Sequence, residues 1–127
     1  MEKIILKTSN GYTRECAIDA VKYAANGALC LIALETATDD VFATLTTNVE
    51  DHWNEVWAGT PSENKYPKFP ELILKDYSEN QGFAEQLKEQ GIITGYIALA
   101  NCKQMFKYAR LTPKWEEIIK IQLDDTL

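Results

Sequence analysis

Apolar and polar residues alternate near the start of the chain with the two-residue period of β-strands. Residues 3–8 are apolar or β-branched apart from Lys3 and Lys7, and residues 12–19 alternate, with Tyr12, Arg14, Cys16 and Ile18 on one face. Asn10 and Gly11 stand between these two runs. Because both residue types tolerate the positive φ of a type I′ turn, the pattern predicts a β-hairpin with a tight turn at this dipeptide.

The end of the second run fits two periods. Ala17, Val21 and Ala24 also form a helical stripe, so one helix over residues 12–25 is the alternative to a strand. We favour the strand, because the alternation over residues 12–19 is the more regular of the two patterns.

Two further strands are predicted in the next part of the chain. Residues 28–34 are continuously apolar, which is typical of a strand that is buried on both faces. Residues 41–49 alternate and are rich in threonine, which suits a sheet with one wetter side. Residues 1–49 are therefore expected to form an antiparallel meander of four strands.

The periodicity stops at Glu50 and resumes after Pro70. The intervening residues combine proline and glycine with four aromatic side chains, which are Trp53, Trp57, Tyr66 and Phe69. Since proline removes backbone donors, residues 50–70 are predicted to be a long ordered loop, with one helical turn at 51–57. Loops of this length in a compact domain are usually functional or mobile.

The last part of the chain predicts strands and helices that alternate. Residues 71–77 form a fifth strand, a short helix spans 83–90 with Gly91 at its C′ position, and a strand lies near 104–111. Residues 96–103 fit a strand or a short helix. A C-terminal helix over residues 112–123 begins with Thr112 and Pro113, a capping side chain followed by a proline.

These elements predict one α+β domain. The expected architecture is a mostly antiparallel sheet of five or six strands, with the helix at 83–90 and the C-terminal helix packed on one face. At 127 residues, of which 46% are apolar, the chain has enough length for one core. The segments 1–49, 50–70, 71–111 and 112–123 are parts of this single domain.

The hydropathy of the chain indicates a cytoplasmic protein without a membrane segment. Its longest apolar run, residues 28–34, is far shorter than the roughly 20 residues of a membrane-spanning helix. The N-terminal residues lack the apolar run and cleavage site of a signal peptide. Cys16, Cys30 and Cys102 are widely spaced in apolar sequence, which favours reduced and buried thiols.

Charge is distributed unevenly. The 42 residues between Lys22 and Lys65 contain no lysine or arginine and carry seven acids, whereas the net charge of the whole chain is −6. A surface of this kind repels nucleic acid and anionic lipid and attracts basic partners. The clearest acids for such a surface are at the predicted turn and loop, namely Asp39, Asp40, Glu50, Asp51 and Glu55.

The sequence predicts no catalytic, metal-binding or cofactor site. His52 is the only histidine, so a triad with Ser62 or Ser78 would have to use it, and an exposed loop histidine is the simpler interpretation. The cysteines and His52 are too far apart in sequence for a zinc site, and the glycines form no phosphate-binding motif.

Direct nucleic-acid binding is also disfavoured. The segment that comes nearest to a basic and aromatic binding strip is 103–110, where alternation would place Lys103, Lys107 and the apolar Met105 on one face. We interpret this face as a solvated strand surface, because phosphate contacts on a chain of this charge would be weak and salt-dependent.

Several short motifs occur together in one order. They are Asn26-Gly27 before an apolar strand, the strand Phe42-Ala43-Thr44-Leu45-Thr46-Thr47-Asn48, the helix end at Glu89-Gln90-Gly91-Ile92, and Thr94-Gly95. This order resembles a family of small proteins of unknown function encoded on conjugative elements and plasmids of gut bacteria, whose members share a Phe-Ala-Thr-Leu-Thr-x-Asn strand. Residues 58–70 and the helix after Thr112 depart from the family pattern. The resemblance implies a gene neighbourhood and no activity or site residues.

These observations lead to one principal hypothesis about function. The chain is expected to be a non-enzymatic accessory protein of a bacterial mobile element that binds a basic protein surface, with Trp53 and Trp57 as aromatic anchors beside the acids. A narrower version is an inhibitor of a nucleic-acid-handling host defence enzyme that imitates the charge of DNA. The alternatives are a small-molecule-binding domain or enzyme with a pocket under the 50–70 loop, and a structural subunit that assembles through an open sheet edge. The sequence leaves the oligomeric state open.

Overall fold

The computed structural model describes residues 2–24, 27–47, 67–98 and 106–125, and these residues form two antiparallel sheets and two α-helices. The strands are β1 (Lys3–Lys7), β2 (Thr13–Lys22), β3 (Leu29–Glu35), β4 (Val41–Thr44), β5 (Glu71–Lys75), β6 (Ile93–Ala98) and β7 (Phe106–Leu111). The helices are α1 (Phe83–Glu89) and α2 (Pro113–Asp125), and a 3₁₀ turn (Ser78–Asn80) precedes α1. None of the helices in these ranges is long and apolar enough to cross a membrane.

The predicted α+β class is confirmed, whereas the predicted single sheet of five or six strands differs from the structure in detail. Strands β1–β4 form a four-stranded meander in the order of the sequence, and a three-stranded sheet has the order β5-β7-β6. One isolated antiparallel bridge, between Thr46 and Leu74, connects the two sheets. Backbone hydrogen bonds from Thr47 N to Ile73 O (3.0 Å) and from Lys75 N to Leu45 O (2.9 Å) flank this bridge.

The first hairpin is confirmed, but its turn is not the predicted two-residue type I′ turn. Thr8 N donates to Tyr12 O at 2.8 Å, so three residues connect the strands, and only Gly11 among them has a positive φ, of 93°. A three-residue connection with glycine in the left-handed region is the next most common hairpin geometry. The strand prediction is also confirmed beyond it, because β2 extends to Lys22, which rules out one helix over residues 12–25.

The apolar run at 28–34 forms β3, but the prediction that it is buried on both faces holds only in part. Leu29, Leu31 and Ala33 are buried on the face that points to the core. Ile32 and Leu34 point to the opposite face and are half-buried. A strand of a sheet that is covered on one side retains this difference between its faces even when the sequence is uniformly apolar.

Both predicted helices are present. Helix α1 begins after Gly82 (φ 94°) and is followed by Gly91 (φ 76°) at the predicted C′ position, where Ile92 N donates to Leu87 O at 2.9 Å. This six-residue bond is the one that a Schellman motif forms. Helix α2 begins after Thr112, whose hydroxyl accepts a hydrogen bond from Trp115 N at 3.4 Å. It extends to Asp125, two residues further than predicted.

One hydrophobic core lies between the two helices and the sheets. The two sheets and both helices contribute to it, with Leu31 and Leu72 from the sheets and Phe83 and Ile119 from the helices among its fully buried members. The strand residues among them lie on the inward faces of the sheets, because strand residues alternate between faces. Burying one such side chain contributes roughly 2 kcal/mol.

The edge of the four-stranded sheet that β1 forms is covered by glutamine side chains. The N–H of Ile5 donates to Gln90 Oε1 (2.8 Å), and Gln90 Nε2 donates to Ile5 O (2.7 Å). Gln86 forms the same reciprocal pair with the backbone of Lys7, at 2.8 and 2.9 Å. Each amide therefore takes the place that one residue of a neighbouring strand would occupy.

The match between helix and strand follows from their geometries. Residues four apart in a helix are separated by about 6 Å along its axis, and residues two apart in a strand by about 6.7 Å. Gln86 and Gln90 can therefore reach Lys7 and Ile5 together. Where β2 extends past β1, Gln122 of α2 continues the pattern, donating to Ile18 O and accepting from Ala20 N, both at 3.0 Å.

A Q86A/Q90A variant tests the role of these amides. It removes the four hydrogen bonds to β1, each with a net value of about 0.5–1 kcal/mol at an exposed site, so we expect the free energy of unfolding to fall by about 2–4 kcal/mol. The amide protons of Ile5 and Lys7 should lose protection in hydrogen exchange measured by NMR. The matched control is Q81A, an exposed glutamine before α1. Unchanged protection at Ile5 and Lys7 would contradict this role.

Candidate functional site

The β1–β2 and β3–β4 turns lie at the same end of the four-stranded sheet. Cys16 near the start of β2 pairs with Glu35 at the end of β3, so both turns extend beyond this row. The 3₁₀ turn meets them there, because Ser9 N donates to Glu79 O at 3.1 Å. We call the end formed by Tyr12, Arg14, Glu35, Thr38, Asp39 and Asp40 the turn surface.

The β3–β4 turn is fixed by its own hydrogen bonds. Glu35 N donates to Asp40 O and Asp39 N donates to Glu35 O, both at 2.8 Å. Asp39 has a φ of 60°, a conformation that aspartate tolerates better than most residues. The Thr38 hydroxyl donates to Glu35 Oε2 at 3.2 Å and accepts from Asp40 N at 3.3 Å. The two aspartates are therefore held on a well-defined turn.

A chain of side-chain contacts connects the two turns. Arg14 donates from Nε to Glu35 Oε1 at 3.0 Å, and its guanidinium lies 5.7 Å from the centre of the Tyr12 ring. Glu35 in turn accepts from Thr38. The Tyr12 side chain is 56% exposed, so this network presents an aromatic ring beside the acidic turn. The alternation of residues 12–19 predicts Tyr12 and Arg14 on one face, but it does not connect them to Glu35, which lies 21 residues beyond Arg14.

The acids at this end of the molecule differ in their partners. Three of them have a cation nearby, in the pairs Glu15–Lys3 (3.5 Å), Glu35–Arg14 (3.0 Å) and Glu79–Lys75 (3.2 Å). Asp39 and Asp40 are exposed, and within the described ranges neither forms an ion pair. The uncompensated negative charge of the turn surface is therefore concentrated on these two carboxylates.

Hydrogen bonds adjust the titration of the neighbouring paired acids. The Thr36 hydroxyl, which donates to Glu15 Oε1 at 2.7 Å, together with Lys3, holds the pKa of Glu15 below its usual range. The Ser78 side chain, the backbone N–H of Glu79 and Lys75 lower the pKa of Glu79 to about 2. Both carboxylates therefore remain charged at neutral pH.

The sequence-predicted binding residues fall into two groups. Asp39 and Asp40 lie on the turn surface, as the prediction of a turn at 39–40 requires. The others lie outside the described residues and stay predictions; they are Glu50, Asp51, Trp53, Glu55 and Trp57. The same holds for His52, Ser62 and Cys102, and for the pocket hypothesised under the 50–70 loop.

A second group of polar side chains lies where α1 begins, around the buried residues Asp76 and Lys107. Asp76 Oδ1 accepts from the backbone N–H groups of Gly82 (2.8 Å) and Ala84 (3.3 Å), so this carboxylate caps the helix across the 3₁₀ turn. Its Oδ2 lies 3.9 Å from Lys107 Nζ. Lys107 Nζ also lies 6.0 Å from the centre of the Tyr96 ring. Tyr96 donates to Glu85 Oε2 at 2.7 Å, and this bond raises the pKa of the phenol.

The burial of Lys107 corrects a sequence-based interpretation. We expected its strand face to be solvated, but the residue is only 8% exposed and points to the core beside Asp76. A buried lysine requires a partner, and a capping carboxylate satisfies both the cation and the helix. Lys107 therefore cannot contribute to a basic strip for phosphate.

The described cysteines are buried and reduced, as predicted. Cys16 and Cys30 are free thiols, and burial together with the Glu35 charge raises the pKa of Cys16 to about 11. Such a thiol stays protonated at neutral pH and is a poor nucleophile. Within the described residues, no three histidine, cysteine or acidic side chains form a metal-binding group.

An open groove of about 650 Å³ lies between the start of β1 and α2. Its walls are mainly apolar, with Ile18, Ile118 and Ile121 among the lining side chains. The charged groups at its rim are already paired, Glu2 with Lys114 (3.4 Å) and Lys3 with Glu15 (3.5 Å). The groove is therefore large enough for a small ligand, but its described lining does not present the convergent polar groups that orient a ligand in most binding sites.

Comparison of the chain with models of protein families, with curated proteins and with solved structures found no match.

Variants of the buried pair test which of its contacts matters more. D76A removes the helix cap and leaves Lys107 buried without its carboxylate, so we expect unfolding free energy to fall by about 3 kcal/mol. K107M keeps the cap and most of the apolar stem, so the expected loss is about 1 kcal/mol. Urea denaturation of both variants measures the difference. Equal losses would show that the ion pair, and not the cap, dominates.

Proposed function

We propose that this chain is a non-enzymatic protein-binding module that engages a basic partner through its turn surface. The observation that carries the proposal is the difference between the acids at this end of the sheet. Three have cationic neighbours within the molecule, whereas Asp39 and Asp40 have none among the described residues. Two exposed carboxylates on a fixed turn can accept hydrogen bonds from arginine or lysine of a partner without reorganisation.

The neighbouring side chains favour a protein partner over a small cation. Tyr12 is exposed next to Arg14, and tyrosine beside a charged rim is common in protein interfaces. The loop residues Glu50, Asp51 and Glu55, with Trp53 and Trp57, would extend this surface if they lie beside it. Paired acids such as Glu35 contribute less, because Arg14 already neutralises them.

The narrower form of the proposal concerns the biological setting. We infer from the motif resemblance that the module is an accessory protein of a bacterial mobile element, from the hydropathy that it is cytoplasmic, and from its acidic turn that its partner is a nucleic-acid-handling host defence enzyme. Carboxylates on a fixed surface can occupy an arginine- and lysine-lined groove in place of phosphates. The net charge of −6 would speed this association at low salt.

A D39N/D40N variant tests the role of the turn. Asparagine removes both charges but tolerates the φ of 60° at position 39, so the turn should keep its shape. In affinity capture from a lysate of a gut bacterium, we expect a protein that the wild type retains at low salt to be depleted about tenfold by the variant. Raising the salt concentration should weaken capture by the wild type.

The matched control is E117Q/D124N, which removes two exposed charges from α2. It should retain the captured protein at the wild-type level, whereas equal retention by D39N/D40N would refute the electrostatic role of the turn. Duplex DNA added to the lysate tests the narrower form. Displacement of the partner by DNA supports charge mimicry, and retention in its presence indicates another kind of basic protein.

The aromatic loop residues give a separate prediction. If Trp53 and Trp57 are interface anchors, W53A/W57A should weaken binding of the captured partner by about 100-fold and change the melting temperature little. Titration calorimetry with the purified partner and thermal unfolding measure the two effects. A large fall in melting temperature would instead identify these side chains as part of the core.

A further inference from the structure

The turn between β1 and β2 presents an asparagine–glycine peptide at the surface. Asn10 and Gly11 are both exposed. Because glycine has no side chain, its backbone nitrogen reaches a preceding asparagine side chain with less steric hindrance than the nitrogen of any other residue. A side chain at Gly11 would meet no other group within 4 Å, so the surrounding structure leaves this peptide open. The peptide is therefore accessible to the reaction by which asparagine loses its amide.

Deamidation of this peptide converts a neutral side chain into an acid. The backbone nitrogen of Gly11 attacks Cγ of Asn10, and the new bond between them closes a succinimide ring. Nδ2 of Asn10 leaves as ammonia, with the proton that the Gly11 N–H gives up. Solvent water then adds to one of the two ring carbonyls and opens the ring. The product is aspartate or isoaspartate, and in either case the chain gains one negative charge.

Thr8 holds both reacting groups in the folded chain. Its hydroxyl donates to Asn10 Oδ1, and its carbonyl oxygen accepts from Gly11 N at 3.0 Å. The attack requires the nitrogen and Cγ to approach each other in one particular orientation. The bond to Oδ1 restricts the rotation of the Asn10 side chain, and the bond from Gly11 N occupies the N–H that has to be released. The folded turn therefore opposes the reaction at both of its atoms.

The position of Thr8 is itself well defined. The residue is only 8% exposed, its hydroxyl accepts from Tyr12 N at 3.0 Å, and its N–H donates to Tyr12 O at 2.8 Å. The hydroxyl that meets Asn10 is therefore fixed by the pairing of the two strands. We propose that Asn10 is a deamidation site and that the Thr8 hydroxyl slows its reaction in the folded chain.

The modification changes both the charge and the geometry of this end of the sheet. Asn10 lies on the turn that precedes Tyr12, at the same end as Asp39 and Asp40, so either product adds to the negative charge there. Isoaspartate also adds one carbon to the main chain of the three-residue connection. A longer connection disturbs the pairing of Thr8 with Tyr12, which the present length of the turn allows.

A T8V variant tests the role of the hydroxyl, because valine keeps the branched shape of threonine. Peptide mapping by mass spectrometry measures conversion of Asn10 while the purified full-length chain is incubated at neutral pH. We expect T8V to react about fivefold faster than the wild type, the factor that corresponds to the net strength of one hydrogen bond. The wild-type chain unfolded in urea loses both bonds and should react at least about tenfold faster than when folded. T8S keeps a hydroxyl and should react like the wild type.

The chain contains a second asparagine–glycine peptide, Asn26-Gly27, which provides an internal control in the same samples. T8V should leave the rate at Asn26 unchanged. The proposal is overturned if T8V reacts at Asn10 no faster than the wild type, or if the rate at Asn26 rises equally, because the acceleration would then come from global unfolding. A slower reaction of T8V would also overturn it and would identify the hydroxyl as a donor that stabilises the oxyanion. So would a wild-type chain that reacts equally fast folded and in urea.

Discussion

The fold depends on satisfying the backbone groups at the free edge of the meander. An open edge strand exposes a row of donors and acceptors that invite pairing with other chains. Here the amides of Gln86, Gln90 and Gln122 pair with that row, so two helices serve in place of a fifth strand. The same helices bury Phe83, Leu87 and Ile119 in the core. The contacts that satisfy the edge of the sheet therefore depend on the packing of the core. Helix α1 is only seven residues long, too short to be stable alone, and this docking with the Asp76 cap stabilises it.

The sequence predicted the local structure better than the polar contacts. Strand alternation, the Asn10-Gly11 hairpin, Gly91 and Thr112-Pro113 are signals that adjacent residues carry, and the elements they predict are present. The long-range contacts were not predictable. Gln86 and Gln90 lie 79 and 85 residues from their strand partners, and a pair of glutamines four apart also fits an ordinary exposed helix face. Lys107 looked like a solvated residue, because nothing local indicated that Asp76 would meet it in the core.

The division into two sheets also depends on long-range contacts, which adjacent residues do not indicate. The alternating run at 41–49 predicted one long strand, but β4 ends at Thr44 and the chain moves from the first sheet to the second around Thr46. Thr46 is buried and accepts from Leu31 N at 3.2 Å, while the adjacent backbone pairs with β5. Such a residue belongs to both sheets. For the candidate site, the turn at 39–40 was predictable from its aspartates, whereas the pairing of Glu35 with Arg14, which leaves only the aspartates uncompensated, requires the register of β2 against β3.

The charge of the turn surface limits the kind of partner that it can bind. Its free charges have one sign, on Asp39 and Asp40, so two copies would repel each other there, and the partner proposed for it is a basic protein. The nearest cation of the same chain, Arg14, already pairs with Glu35 at 3.0 Å. A partner therefore has to supply its own arginine or lysine side chains, because displacing Arg14 would leave Glu35 without its cation.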